Sequence, residues 1–226
     1  MSTAAAYQQV SVLSSLPEDN LNHECQKYVP HSWKPQQCRE CGGSWNLHRN
    51  ITTEQVASAI YCTAENEATE VLPNQVYLGG MKSAINRKFL EEHNITAILT
   101  CATGLEAFFP RFGEEIREIR RELGAENVLS LQLLDWEYQD ITRSARRAVV
   151  FIDDVLSRGG RVIVHCAQGK SRSAAIIIAY LILRRAMSFD DALNFVQSRR
   201  PIVQPNPGFV CQLRAMSQLH RNSIEC

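Results

Sequence analysis

Along this 226-residue chain, hydrophobic and polar positions group into short blocks whose spacing switches repeatedly between strand-like and helix-like. Val71-Leu-Pro-Asn-Gln-Val-Tyr-Leu-Gly-Gly80 reads as one strand closing on glycines. Phe89 and Leu90 lie in a helical stretch that Asn94 ends, and the β-branched run Ile95–Thr100 suits a buried strand. Glu114–Leu123 is predicted as a charged amphipathic helix ending at Gly124, and Val128–Leu134 as another strand. The clearest helix is Asp140–Ser157, where Ala145, Ala148, Val149, Ile152, Val155 and Leu156 recur at three- and four-residue steps before Gly159-Gly160. Arg161–His165 follows as a short strand, then a mostly apolar helix over Ser171–Arg185, an amphipathic one over Phe189–Arg199, and a last one after Pro207. Alternation of this kind predicts an α/β fold: a mainly parallel central sheet flanked by helices.

Ahead of this body the pattern changes. Residues 1–22 are small and polar with no period and are expected to be a flexible lead-in. Residues 23–50 form a Cys/His/Trp/Pro cluster, and 51–70 a short helix and acidic linker, leaving 71–222 for the main domain. Hydrophobic residues make up 45% of the chain, too many for wholesale disorder. Lys and Arg number 24 against 24 Asp and Glu, which removes the electrostatic case for a nucleic-acid binder. That zero is uneven: residues 51–140 carry 7 basic and 15 acidic side chains, a balance of −8, whereas 141–226 carry 13 and 5, a balance of +8. A basic carboxyl-terminal portion points to anions handled there, or to two portions that pair across one domain. The longest apolar run, Ala174–Leu183, is too short to span a bilayer. Met1–Ala6 has neither a basic nor an apolar leader region, so the eight cysteines are expected in a reducing compartment, the cytoplasm or nucleus.

The informative residues are His165-Cys166-Ala167-Gln168-Gly169-Lys170-Ser171-Arg172-Ser173. A buried strand ends at His165, a helix begins near Ser171, and a short glycine-containing loop lies between. Successive backbone N–H groups of Ala167, Gln168, Gly169, Lys170 and Ser171 can then turn inward around an anion, helped by the positive end of the helix. In such a cradle the Cys166 thiol is expected as thiolate. Arg172 offers a planar fork for two phosphate oxygens, and Ser173 a hydroxyl for the sulfur. A nucleophile, a ring of amides and an arginine on one small loop define a phosphoryl-transfer site.

At these residues the sequence resembles the cysteine-dependent protein tyrosine phosphatase superfamily, whose signature is His-Cys-x5-Arg-Ser/Thr, and most of all its dual-specificity phosphatases. The likeness runs from about Val71 to Leu219. It includes Val76-Tyr-Leu-Gly79, Asn94-Ile-Thr-Ala-Ile-Leu99, Ala179-Tyr-Leu181, Arg200-Pro201, Pro205-Asn206, Gly208-Phe209 and Gln212-Leu213. Thr100-Cys101 departs from the Asn and small apolar residue that many members carry, and the charged stretch of about 105–126 is longer than expected. The resemblance implies a phosphatase acting on phosphotyrosine and phosphoserine/phosphothreonine in proteins through a phosphocysteine intermediate, with no cofactor for catalysis. The alternatives are a phosphatase of phosphoinositides or other non-protein phosphates, and a non-catalytic phosphate-binding adaptor.

The departing oxygen needs a proton, and the water that clears phosphocysteine needs a base. Asp135, directly after the strand, stands where the family places this carboxyl group; Asp140 reads as a helix N-cap and Glu137 is the third carboxylate nearby. Trp136 and Tyr138 are pocket-rim or packing aromatics. His165 is expected to organise the loop by hydrogen bonding. Lys170 is either a solvated lysine or an added cation for a multiply charged substrate, and Arg199 and Arg200 either serve a second phosphate or face water. Cys101, at the end of a neighbouring strand, is either a small buried residue or a redox partner that captures Cys166 in a disulfide.

Within the amino-terminal cluster, Cys25, Cys38, Cys41 and His48 give Cys-x12-Cys-x2-Cys-x6-His, a tetrahedral set suited to structural zinc, with His23 and His31 as competing ligands. Trp33, Trp45, Pro30 and Pro35 would pack around the metal or face a protein partner.

Overall fold

The computed structural model describes residues 67–224 together with 30–31 and 34–38. The chain divides into two units, residues 1–64 and 65–226. In the first, β1 (Pro30–His31) and β2 (Lys34–Cys38) pair antiparallel. Of the four zinc-ligand candidates, Cys38 closes β2; Cys25, Cys41 and His48 lie outside the described residues.

In the second unit, β3 (Thr69–Leu72), β4 (Val76–Gly79), β5 (Ala97–Thr100), β6 (Val128–Ser130) and β7 (Val162–His165) form one sheet in the order β3-β4-β7-β5-β6. The sheet is mixed: β3–β4 is antiparallel, and β4–β7, β7–β5 and β5–β6 are parallel. The expected single strand from Val71 to Gly80 is therefore a hairpin. Pro73 interrupts it and Asn74 takes a left-handed φ of 54°, while Gln75 N–H bonds the Leu72 carbonyl at 3.0 Å. Asn tolerates that conformation better than most residues. The expected strand to Leu134 also stops early, at Ser130. Beyond it Leu131 and Leu133 stay buried, but Leu131 N–H bonds the Thr100 carbonyl and Thr103 N–H the Leu133 carbonyl outside a regular ladder.

Helices α1 (Met81–Ala84), α2 (Arg87–Glu92), α3 (Leu105–Phe108), α4 (Pro110–Leu123), α5 (Thr142–Ser157), α6 (Arg172–Arg185), α7 (Phe189–Arg199) and α8 (Pro207–Ile224) complete the described unit. The charged stretch after Cys101 thus holds two helices, not one. Helix α6 is apolar on every side because it is surrounded: it packs on β4 and β7 and is covered by α5, α7 and α8. Ile176, Ile177, Ile178, Leu181 and Ile182 are all buried, each contributing about 2 kcal/mol relative to exposure. The other helices are amphipathic, with α4 burying Phe112, Ile116 and Ile119. Gly79, Thr100 and His165 lie in one register row, so the carboxyl ends of three strands meet at a single rim. In parallel sheets such a rim is where ligands bind. No described helix is long and apolar enough to cross a membrane.

Candidate active site

The loop Cys166–Ser171 leaves β7 at this rim and enters α6. Gly169 adopts φ 70°, and a Cβ there would stand 2.6 Å from the Gly79 carbonyl, so only glycine lets the loop lie against the end of β4. Met81 N–H reinforces the contact by donating to the Ala167 carbonyl at 3.0 Å. Arg200, on the segment after α7, is 1% exposed and grips the loop from behind. Its Nε donates to the Gly169 carbonyl at 2.9 Å, Nη2 to the Gln168 carbonyl at 3.1 Å, and Nη1 to the Glu67 carbonyl and Thr69 Oγ1. Both alternatives expected for Arg200, a second phosphate or open water, are thereby corrected: it turns loop carbonyls outward, which leaves loop N–H groups for the interior. Arg199 stacks its guanidinium 3.6 Å above the Phe195 ring.

Cys166 Sγ sits inside the curve and accepts hydrogen bonds from Gly169 N–H at 3.3 Å and the Ser173 hydroxyl at 3.2 Å. Burial pushes the thiol up, but the Ser173 hydroxyl and N–H, the Arg172 charge and the Gly169 N–H together outweigh it and hold it below the ordinary thiol value. His165 is fully buried. Its Nδ1 lies 3.2 Å from the Cys166 carbonyl and its Nε2 2.8 Å from Thr100 Oγ1, which agrees with a loop-organising role. Burial, against the bond to the Cys166 carbonyl and with help from the Arg120 charge, lowers its pKa to about 4, so the ring is neutral at physiological pH.

Asp135 reaches the same place from the segment after β6. Its Oδ1 accepts from Ser171 Oγ at 2.6 Å and Asn206 Nδ2 at 2.9 Å, and its Oδ2 lies 3.5 Å from Arg172 Nε. That last contact is an ion pair without hydrogen-bond geometry, because Arg172 Nε is buried with no hydrogen-bond partner. Asp140 has a structural job, though the N-cap position expected for it falls on Ile141: its Oδ1 accepts from Thr142 N–H at 2.8 Å at the start of α5, and that bond lowers its pKa. Trp136 and Tyr138 are not packed in the core. They are 50% and 81% exposed and tilt against each other with ring centroids 5.3 Å apart.

Helix α8 ties down this second loop. Gln212 accepts Ile141 N–H at 2.9 Å and donates to the Gln139 carbonyl at 2.8 Å. Gly208 lets the two approach, since a Cβ there would fall 1.7 Å from the Glu137 carbonyl oxygen. Cys166, Gln168, Lys170, Ser171, Arg172 and Asp135 consequently share the wall of one cavity of about 260 Å³. Cys101 is buried at the next position beyond the rim, and its N–H bonds the His165 carbonyl at 2.7 Å. Burial first, and the neighbouring Cys166 second, hold its pKa well above the ordinary thiol value, against Arg172. No cluster of three or more His, Cys, Asp or Glu suited to a metal occurs among the described residues.

Sequence reasoning missed Arg200 as a loop clamp, and Asn206, which fixes Asp135 while its Oδ1 caps α8 through Phe209 N–H at 2.9 Å. A cap signal was available for Asn206, which stands just before a helix. None was available for Arg200, whose partners lie more than a hundred residues away in Glu67 and Thr69.

A buried thiol whose pKa is lowered, an arginine with a buried donor lacking a hydrogen-bond partner and a carboxyl group in the same cavity wall fit a cysteine-dependent phosphatase site. Comparison with known proteins agrees. Residues 76–218 match the family model for the dual specificity phosphatase catalytic domain, and the chain belongs to that family. Dual specificity protein phosphatase 1 of Arabidopsis thaliana is 32% identical over 154 residues, which cover 68% of this chain and 71% of that protein. The serine/threonine/tyrosine-interacting protein of Mus musculus is 37% identical over 158 residues, 68% of this chain and 66% of that protein. Among solved structures, human tyrosine phosphatase-like serine/threonine/tyrosine-interacting protein aligns with a TM-score of 0.58 at 34% identity, covering 69% of this chain and 99% of that one. The Yvh1 phosphatase domain from Chaetomium thermophilum aligns at 0.52 and 33%, covering 64% and 90%. The protein is a cysteine-dependent dual-specificity protein phosphatase, and its family's chemistry needs no catalytic cofactor.

Proposed function

We propose that Cys166, Arg172 and Asp135 divide the reaction as nucleophile, phosphate clamp and proton carrier. Cys166 thiolate attacks phosphorus; the S–P bond forms as the P–O bond to the substrate breaks, and Asp135 gives its proton to the departing oxygen. Water then attacks phosphocysteine, Asp135 takes the proton back, and the sulfur leaves as thiolate, eased by the Ser173 hydroxyl. Arg172 and the N–H groups of Ala167 to Ser171 hold the equatorial oxygens throughout. The observation that carries this reading is Arg172 Nε, a buried donor without a hydrogen-bond partner in the wall that also holds Cys166 and Asp135. A buried donor costs about 1–3 kcal/mol until it is satisfied, and a phosphate oxygen satisfies it. The test is turnover of a small aryl phosphate. Wild type turns over and Cys166→Ser does not; equal inertness of both, with phosphopeptide binding retained, would leave the adaptor reading instead. Substrate trapping with Asp135→Ala then identifies the protein target.

Two further roles belong to this reading. Cys101 is the resolving thiol: peroxide converts Cys166 thiolate to sulfenic acid, and Cys101 attacks that sulfur, forming a disulfide and releasing water. Its strand-end position and the electrostatic effect of Cys166 on its thiol support this. Mass spectrometry of peroxide-treated protein would find the Cys101–Cys166 peptide pair, and Cys101→Ser would drive Cys166 to sulfinic acid. Cys25, Cys38, Cys41 and His48 hold a structural zinc in a segment that also meets a protein partner; the ligand spacing, with Cys38 closing a short hairpin, supports it. Metal analysis of the full chain against Cys38→Ser/Cys41→Ser decides, with equal and negligible zinc in both ending that role. Residues 71–222 then act as the catalytic domain after a 51–70 linker, in the cytoplasm or nucleus, where thiols stay reduced.

A further inference from the structure

Behind the nucleophile loop runs a line of hydrogen bonds that begins on α4, inside the charged stretch after Cys101. Glu106 on α3 forms an ion pair with Arg120 Nη1 on α4. Arg120 Nη2 donates to Thr100 Oγ1 at 2.9 Å. Thr100 Oγ1 meets His165 Nε2 at 2.8 Å, and His165 Nδ1 meets the Cys166 carbonyl at 3.2 Å. Thr100 and His165 are 3% and 0% exposed, so water does not substitute for either partner.

The direction of each bond follows from what the ends can do. A guanidinium only donates, and a carbonyl only accepts. At the carbonyl end, His165 must carry its proton on Nδ1. In the neutral ring Nε2 is then an acceptor, and the Thr100 hydroxyl must donate to it. At the guanidinium end, Arg120 occupies a lone pair of that same hydroxyl and points its proton toward the ring. Both ends demand one arrangement. We propose that Arg120 is a positioning residue for catalysis: through the Thr100 hydroxyl it fixes the Nδ1–H tautomer of His165, which orients the Cys166 peptide and keeps the loop amides on the sulfur. The device needs the Thr100 hydroxyl, which both donates and accepts, together with the guanidinium that α4 supplies.

The inference rests on Cys166 as nucleophile, but its first readout does not depend on activity. In ¹⁵N NMR of the full chain, His165 shows a protonated Nδ1 and an unprotonated Nε2. The groups around His165 and Cys166 that titrate or carry charge are Arg120, Cys101, Arg172, Asp135 and Lys170, with Glu106 behind Arg120. In Arg120→Met the two tautomers mix, the midpoint for Cys166 alkylation by iodoacetate moves to higher pH, and kcat/KM falls about tenfold with most of the loss in kcat. Thr100→Val, close in shape but without the hydroxyl, has the same effects, and Thr100→Ser restores the wild-type pattern. Glu122→Gln, on the same helix at the surface, changes none of them. Should Arg120→Met fail to fold, the Val and Ser pair at position 100 decides alone. An unchanged tautomer signal and unchanged alkylation midpoint in Thr100→Val would overturn the proposal. So would activity lost while both signals stay at wild type.

Discussion

On the nucleophile side of the cavity, the Cys166–Ser173 loop is held almost entirely by buried groups: Arg200 on its carbonyls, His165 beneath it, Ser173 on the sulfur. On the proton-donor side, the Asp135 side chain is 38% exposed, and much of its support, through Asn206 and Gln212, comes from side chains near solvent. The contrast follows from the chemistry each side performs. A thiolate and a dianionic phosphate are stabilised by fixed dipoles in a water-poor setting, where each N–H counts for more than it does in water. A carboxyl group that gives its proton to a leaving oxygen and regains one from an attacking water must stand where both can reach it, at the mouth.

The largest effect expected from breaking this contrast is at the sulfur. Cys166→Ser removes the thiol proposed as nucleophile and lowers kcat by more than about 10⁴-fold, measured on an aryl phosphate, with the fold intact by circular dichroism. Asp135→Asn comes next, at about 10²–10³-fold, and its size depends on the leaving group. The loss is greatest for phosphoserine, whose alkoxide needs the proton most, and shrinks for a nitrophenyl phosphate; a loss independent of leaving group would separate Asp135 from proton donation.

Arg200→Met attacks the buried side through stability. It strips partners from the Gly169, Gln168 and Glu67 carbonyls and costs about 3 kcal/mol, read as a lower urea midpoint together with reduced phosphate affinity. Asn206→Ala attacks the exposed side and costs much less stability, about 1 kcal/mol from the lost helix cap, while kcat falls roughly tenfold as Asp135 loses a positioning bond. The effect that shows only in acid comes last. His165 has a folded-state pKa of about 4 against an ordinary value of 6.5, so the unfolded chain binds the proton more readily. Its stabilising contribution is complete above 6.5 and is lost as pH falls from there toward 4, roughly 3 kcal/mol in all. His165→Gln flattens that part of the curve of stability against pH.

The difference between the two sides also explains what could be read in the sequence. Nucleophile, clamp and sulfur-bonding hydroxyl lie within Cys166–Ser173, between a β-branched strand and an apolar helix, so local pattern sufficed. Asp135 was reachable because it directly follows an apolar strand and stands where the family resembled places its carboxyl group; Leu131 and Leu133 before it are buried although the regular strand ends at Ser130. The hairpin at Pro73-Asn74 was missed because apolar residues on both sides mask a two-residue turn, although proline in a strand argues against an unbroken one. The supports were not legible. Arg200 looks like one more basic residue beside Arg199, yet Arg199 stays on its own helix, four residues from Phe195, while only tertiary structure brings Arg200 to the loop carbonyls. The bond from Arg120 to Thr100 spans two elements whose approach no local pattern fixes.

The account depends most on the covalent step at Cys166. Rapid quenching in detergent at alkaline pH during turnover of a ³²P-labelled phosphopeptide, followed by proteolysis, tests it directly. A covalent step predicts label on the peptide containing Cys166, rising as a burst before free phosphate and absent from Cys166→Ser. Phosphate release with no labelled protein at any time, or at an equal rate from Cys166→Ser, would contradict it.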